Sequence, residues 1–308
     1  MQSGEQYFNL SEYTAESADI PVVSDYLQIG RGETHVYYKN RSFGDVSLRS
    51  YMMKRTTLED FRILDGWTTF TLSAIPSSHA QWNNVSLCEH VLAVLMPGEA
   101  HSALIPADWG VIEIDVDDHV LEREGLVDYT RRAMISSPQA PHIRLSSTDA
   151  DAARATLTNI LDSGASGSDT RRCNQIFEVL HQLFGAEVHG SPPDIRQKSA
   201  AVLVRKARKI IAETDARSLT VSSLCDRLNS TPRRMQRSFK EAIGVTPKQY
   251  LISWRLDQAR QHLSPHQSIT RVAEDFGFCS QSRFTEHFRR QYGVTPSDCI
   301  ARMRKTAM

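Results

Sequence analysis

The chain has 308 residues, long enough for two domains with separate cores. Hydrophobic residues make up 40% and charged residues 23%, the balance of a soluble globular protein and not of a disordered or fibrous one. No apolar run approaches the ~20 residues of a membrane span, and the opening Met1-Gln2-Ser3-Gly4-Glu5 lacks the basic and apolar regions of a secretory signal. The expected location is the cytoplasm, with no membrane partner.

A net charge of zero conceals an asymmetry. From Arg196 onward there are 22 Lys and Arg against 9 Asp and Glu, which leaves 14 against 27 in residues 1–195. A basic part beside an acidic one suggests that the basic part meets a polyanion, because phosphate neutralisation supplies most non-specific affinity for DNA. Charge alone does not separate that reading from a solvated basic face. Five scattered cysteines (Cys88, Cys173, Cys225, Cys279, Cys299) fit free thiols in a reducing compartment better than a disulfide framework or a zinc site.

From about Tyr26 to Val116 the sequence reads as short strands. His35–Tyr38, Asp45–Tyr51 and Trp67–Leu72 are rich in β-branched and aromatic residues, Val91–Met96 stops at Pro97-Gly98, and Gly110–Val116 alternates. Strands at this spacing predict an antiparallel sandwich or barrel. Helical patterning follows. Asp149 to Leu161 places Ala152, Ala155, Leu157, Ile160 and Leu161 on an apolar side, and a polar spacer runs from Ser163 to Ser168. Arg171 to Phe184 then clusters Ile176, Val179, Leu180, Leu183 and Phe184. Gly190-Ser191-Pro192-Pro193 reads as a linker, so residues 1–190 and 196–308 are the expected domains.

An internal repeat is the sharpest signal. Phe239-Lys240-Glu241-Ala242-Ile243-Gly244-Val245-Thr246-Pro247 recurs 49 positions later as Phe288-Arg289-Arg290-Gln291-Tyr292-Gly293-Val294-Thr295-Pro296. Each glycine suits the left-handed residue that closes a helix, and each proline prevents continuation. Upstream of the first stop, Val221 to Leu228 is a short helix burying Leu224 and Leu228. Asn229-Ser230 turns the chain, Thr231 caps, and Pro232 opens a helix that buries Met235, Phe239 and Ala242. Arg233, Arg234, Gln236, Arg237 and Lys240 then point outward. Arginine can reach guanine bidentately and glutamine can pair with adenine in a major groove. The second copy repeats the plan: Ile269, Val272, Ala273 and Phe276 support it, Gly277 turns, Ser280 caps, and Phe284, Phe288 and Tyr292 are buried. Gln281, Ser282, Arg283, Thr285, Glu286 and Arg289 face out. Two helix-turn-helix units follow from this pattern. The helix from Pro247 to Leu263 between them spans ~24 Å, which allows the two reading helices to sit about one duplex turn apart, near ~34 Å.

These motifs carry a resemblance. Gly244-x-Thr246-Pro247-x-x-Tyr250-Leu251-x-x-x-Arg255-Leu256-x-x-Ala259-Arg260, followed by Val272-Ala273-x-x-x-Gly277-Phe278-x-Ser280-x-Ser282-x-Phe284, resembles the DNA-binding domain of the AraC/XylS family of transcription regulators. The likeness covers residues 199–303. It implies a seven-helix domain with base contacts from Arg233, Gln236 and Arg237 in the first unit, and from Gln281, Ser282 and Arg283 in the second. Arg234, Lys240 and Arg289 are expected to add DNA contacts. Two positions depart from the family pattern. Glu286 stands where many relatives place a phosphate-friendly side chain, and Cys299 stands where an aromatic usually follows the final Thr-Pro. Within the family the local style of Leu219–Phe239 and of the N-terminal strands is similar to the ethanolamine-regulator subgroup, and no ligand is transferred on that basis.

The resemblance further implies an N-terminal domain that senses a small molecule or dimerises, built as a mainly-β, cupin-like barrel with helices at its C-terminal end. An all-α domain with two helix-turn-helix motifs completes the expected fold class. Trp67, Trp82 and Trp109 are candidate pocket residues, with barrel core as the alternative use for each. Pro97-Gly98-Glu99-Ala100-His101 echoes a fragment of a cupin metal motif, but His90 and His101 lack converging partners, so no metal and no cofactor are expected. Solvated charge is the reading for Lys54-Arg55 and Arg131-Arg132. The expected partners are double-stranded promoter DNA, a small-molecule effector, RNA polymerase and a second copy of the chain, paired through the helices at 149–161 and 171–184. The activity expected is non-catalytic transcription regulation, as an activator. Two rivals stay open: a regulator governed by a partner protein or by abundance, and an enzyme fused to a DNA-binding module, for which Cys88 and Cys173 lie in no reactive motif.

Overall fold

The computed structural model describes residues 6–9, 20–75, 80–83, 85–86, 90–98, 100–136, 141–163, 168–186 and 198–306. Cys88, Glu99, the spacer residues 164–167 and the linker Gly190–Pro193 lie outside them. Contacts divide the chain into two units, residues 1–26 with 35–193, and residues 27–34 with 194–308.

The first unit is built on two antiparallel sheets. Strands β1 (Gln6–Asn9), β3 (His35–Ser42), β4 (Val46–Met53), β11 (Trp109–Asp117), β6 (Trp67–Ser73), β9 (Val91–Leu95) and β12 (His142–Arg144) lie side by side in that order. The second sheet runs β2 (Val22–Gln28), β5 (Thr57–Ile63), β10 (His101–Ile105), β7 (Gln81–Trp82) and β8 (Val85–Ser86). Each of the five strand expectations has its strand. Among the described residues no strand ladder joins the sheets into a closed barrel, so the cupin-like expectation is met only as far as two sheets.

The alternation of β11 shows how the layers stack. Ile112, Ile114 and Val116 belong to a core shared with helices, whereas Trp109 and Val111 pack with Tyr51, Met53 and Ile105 on the other face. The helices are α1 (Asp118–Arg123), α2 (Val127–Ser136), α3 (Ser147–Asp162) and α4 (Asp169–Gly185). Ser146 caps α3 by accepting from the Asp149 backbone N–H. Along α3, Ala150, Ala153, Leu157, Ile160 and Leu161 are buried, whereas Ala152 and Ala155 are exposed, contrary to expectation. Alanine is too small to mark a helix face by itself, and the larger Leu and Ile side chains set the angle. In α4 all five expected apolar residues are buried, and Phe184 stands edge-on to Phe70 with ring centroids 5.7 Å apart. These faces are covered by the chain's own sheet, so a dimer through α3 and α4 would have to use their outer sides.

Gly110 marks the tightest place in β11. A Cβ added there would lie 2.2 Å from the Tyr51 carbonyl oxygen and 2.9 Å from Met52 Cα, both backbone atoms that cannot swing aside. Gly110→Ala is therefore expected to force β4 and β11 apart and cost roughly 3 kcal/mol, at the upper end for overpacking. Urea unfolding followed by tryptophan fluorescence measures it; a midpoint within experimental error of wild type would show that the strands yield freely.

Among the described residues the second unit holds seven helices: α5 (Lys198–Ala212), α6 (Val221–Arg227), α7 (Pro232–Ile243), α8 (Pro247–Gln261), α9 (Ile269–Asp275), α10 (Gln281–Tyr292) and α11 (Pro296–Thr306). Helix α8 serves both ends. Its Tyr250 meets Phe239 of α7 edge-on at 5.6 Å, and its Leu256 and Ala259 join Val272, Ala273, Phe284 and Phe288 in a core around α9 and α10. Midway, Arg255 donates from Nη2 to the carbonyls of Ala216 and Leu219 at 2.8 and 2.6 Å, tying α8 to the entry of α6. Residues 27–34 group with these helices, and the buried amides of Gln28 and Gln291 each donate to the other's backbone carbonyl at 2.7 and 2.6 Å.

Candidate functional site

The first candidate reading helix is α7, and local rules fix both of its ends. In α6 the Thr220 and Ser223 side chains and backbones cap each other reciprocally. Asn229 takes a positive φ of 46° in the turn, Thr231 accepts from the Arg234 N–H, and Pro232 opens α7. Gly244, at φ 74°, ends it in the left-handed conformation. Met235 and Phe239 are fully buried, while Leu228, expected in the core, is half-buried. Arg233, Arg234, Gln236, Arg237 and Lys240 are all exposed. Lys240 is partly engaged: its ammonium donates to the Gly244 carbonyl at 3.2 Å, which steadies the helix end. No ion pair holds Arg233, Arg234 or Arg237 to any described residue.

The second candidate, α10, is assembled the same way. Gly277 turns at φ 77°, where a Cβ would come within 3.0 Å of the Ala216 carbonyl, and Ser280 caps by accepting from the Arg283 N–H. Phe284 and Phe288 are fully buried, Tyr292 nearly so, and Gly293 closes the helix at φ 78°. Ile269 and Phe276 of the supporting helix are only half-buried. Gln281, Ser282, Arg283, Glu286 and Arg289 are exposed. Gln281 already accepts from the Thr270 hydroxyl at 2.6 Å, so base contact there requires that bond to open. His287, between Arg283 and Arg290, is held below the usual histidine range by burial and by those guanidinium groups. Arg290, which the sequence reading left aside, is exposed beside Arg289 and adds a cation to the same turn. Its place in the last turn, next to residues that contribute to the core, was the signal available.

The first unit holds a different site. Tyr51, Glu59, Phe61, Trp82, Trp109 and Glu113 are among the residues lining a partly open cavity with about 370 Å³ of free space, its mouth included. Trp82 and Trp109 line it, whereas Trp67 does not; Trp67 packs half-buried against Trp82, Ala93 and Leu95. Sequence reasoning missed the charged groups. Arg49 donates to Asp115 twice, at 2.9 and 3.2 Å, and its Nη2 lies 2.7 Å from a Glu113 oxygen, with all three side chains nearly inaccessible. Glu113 also accepts from Thr71 at 3.0 Å, and Glu59 accepts from Ser24 at 2.7 Å and Tyr51 at 3.2 Å. Burial pushes the Glu113 carboxyl up to about 7, against the opposing pull of Arg49, and pushes Glu59 up as well.

That shift has a consequence for stability. A carboxyl raised from 4.5 to about 7 on folding contributes most below pH 4.5, and its contribution is lost as pH rises through about 7. The melting-temperature difference between wild type and Glu113→Gln should therefore shrink or reverse in favour of the variant from pH 5 to pH 8. A difference independent of pH would mean that Glu113 is ionised throughout.

Among the described residues, no group of three or more His, Cys, Asp and Glu is placed to hold a metal ion, and no helix is long and apolar enough to cross a membrane. His101 packs between Phe61 and Trp82, with ring centroids 5.2 and 5.5 Å away.

A family model described as a helix-turn-helix domain matches residues 224–302. The XylDLEGF operon transcriptional activator of Pseudomonas putida is 31% identical over 101 residues, 32% of this chain and 32% of its own length. The HTH-type transcriptional activator RhaS of Escherichia fergusonii is 34% identical over 85 residues, 27% of this chain and 30% of its own. The match to this chain thus spans about a third of these relatives' length. Among solved structures, the DNA-binding domain of AdpA in complex with a target DNA is 30% identical and covers 35% of this chain and 94% of that one, with a TM-score of 0.30. Residues 224–302 thus carry a helix-turn-helix domain of the AraC/XylS type.

Proposed function

We propose that the chain is a sequence-specific DNA-binding regulator, an activator that places α7 and α10 as the reading helices of two helix-turn-helix units in successive major grooves. The observation that carries this is the repeated construction: each reading helix follows a short helix and a tight turn, starts on a hydroxyl cap and ends on a left-handed glycine. Each buries one aromatic stripe and presents basic and amide side chains outward. Arg233, Gln236 and Arg237 read bases in the first groove; Ser282 and Arg283, with Gln281 once released from Thr270, serve the second. Arg234, Arg289 and Lys240 hold phosphates.

In this reading residues 196–308 bind DNA, and residues 1–190, a cupin-like pair of facing sheets, carry a small-molecule effector in the cavity lined by Trp82 and Trp109 and support a homodimer. Effector binding shifts the population able to place both reading helices next to RNA polymerase at a promoter. The non-catalytic mechanism and a cytoplasmic setting belong to the same proposal. Fragments bound by the full chain, selected from genomic DNA and probed by chemical footprinting, test it. Protection of two major-groove segments about one helical turn apart per chain is expected. Protection of a single segment would remove the second unit from the reading, and no selected sequence at all would remove specific binding.

A further inference from the structure

We propose that the cavity of the first unit takes a compact amine, an ammonium group carried on a flat apolar body, with Glu59 and Glu113 receiving the cation. The inference rests on the small-molecule control described above and assigns its chemical class.

Charge is the first reason. Among the described residues around the cavity, Glu59, Glu113 and Asp115 face one guanidinium, Arg49. Two donors of Arg49 are committed to Asp115, and the group that reaches Glu113 is one of these same nitrogens. None of the described residues lining the cavity is Lys or Arg. The described groups that face Glu113 are Arg49 on β4, Thr71 on β6, Asp115 on its own strand and Glu59 on β5 of the other sheet, with the His101 ring of β10 tilted against Trp82. A carboxylate ligand would enter without a free cation to meet it, and would face two further acids. An ammonium supplies the positive charge that the cluster lacks, and buried charges are tolerated when paired.

The walls are the second reason. Tyr51, Phe61, Trp82 and Trp109 line the same cavity as Glu59 and Glu113, and ring faces attract ammonium groups, most strongly once water is excluded. The third reason is independent of charge. Trp82 is 2% exposed, yet its indole N–H finds no acceptor among the described residues. A buried donor without an acceptor is rare in a finished core. A bound molecule with an acceptor atom would complete it.

Cation binding here requires Glu113 to release the proton that burial lets it keep near neutral pH, and the ammonium takes over its charge partner role. No covalent bond changes.

Benzylamine, benzyl alcohol and benzoate, one size and shape with three charge states, are the probes. The full chain is titrated with each by calorimetry at pH 7 and melted in millimolar concentrations of each. Benzylamine alone is expected to raise the melting temperature clearly. Its binding heat should vary with the ionisation enthalpy of the buffer, reporting proton release. Glu113→Gln should weaken benzylamine by about tenfold or more, and Glu59→Gln serves as a second variant should the first fail to fold. Benzoate or benzyl alcohol binding as well as benzylamine overturns the amine assignment while leaving small-molecule control in place. No binding of benzylamine to wild type overturns the amine assignment too, and in that case the DNA footprint still reports separately on the regulator.

Discussion

Replacing Arg233 and Arg237 together by alanine is expected to remove about 2–5 kcal/mol of preference for the selected DNA over random sequence, because a good bidentate base contact discriminates by roughly 1–3 kcal/mol. Both side chains are exposed and carry no ion pair among the described residues, so nothing in the fold depends on them. Thermal melting and circular dichroism of the variant should match wild type. The helix itself is secured elsewhere, by Thr231 at its start, by Gly244 at its end and by Met235 and Phe239 underneath. Electrophoretic or anisotropy titration against selected and random duplexes reads the effect. A variant that loses affinity equally for both duplexes would make these arginines phosphate contacts, since such contacts carry no sequence information.

The second large effect concerns the first unit. Arg49→Met should cost about 3–5 kcal/mol, the usual penalty for leaving a buried charge without its partner. Asp115 is the residue exposed to that loss, being wholly inaccessible and accepting two hydrogen bonds from Arg49. It retains donors from Ser47 at 2.8 Å and Thr69 at 2.6 Å, which soften the loss without neutralising the charge. Adding Asp115→Asn to Arg49→Met should recover a large part of the stability, because the remaining buried group is then neutral. Urea unfolding of the single and double variants measures both. Equal stability of the single variant and wild type would mean that water reaches this cluster freely.

The two halves of the chain differed in how much could be read beforehand, and the difference is physical. In the C-terminal part, punctuation is local. Thr231-Pro232, Ser280, Gly244, Gly277 and Gly293 each act within one turn of backbone, so caps, turns and helix ends were placed within a residue or two. The outward residues followed from the aromatic stripe of Phe239, Phe284 and Phe288. Helix α5 is harder to read because Arg205, Lys206, Arg208 and Lys209 form a run broken only by Ala207, and no glycine or proline marks its end. In the first unit the decisive facts are long-range. The stretch Val111-Ile112-Glu113-Ile114-Asp115-Val116 reads as a strand with a wet polar face. The second sheet covers that face, so Glu113 and Asp115 are buried. Nothing within the strand announces that cover, and Arg49, which pairs with both acids, lies more than sixty residues away. Strand β5 is hidden for a related reason, since the charged Glu59, Asp60 and Arg62 break the apolar pattern of Thr57–Ile63. Tryptophan gave a partial signal: of Trp67, Trp82 and Trp109, two line the cavity.

Base reading by α7 is tested most directly by a salt titration of the full chain on its selected DNA and on random DNA of equal length. Log affinity for both is expected to fall steeply and linearly with log salt, through phosphate contacts. A gap of several kcal/mol between the two duplexes should persist at every salt concentration and close in the Arg233→Ala, Arg237→Ala variant. Equal affinity of wild type for both duplexes across the titration would contradict base reading by α7, and no binding to either at low salt would contradict a DNA-binding role for the basic C-terminal unit.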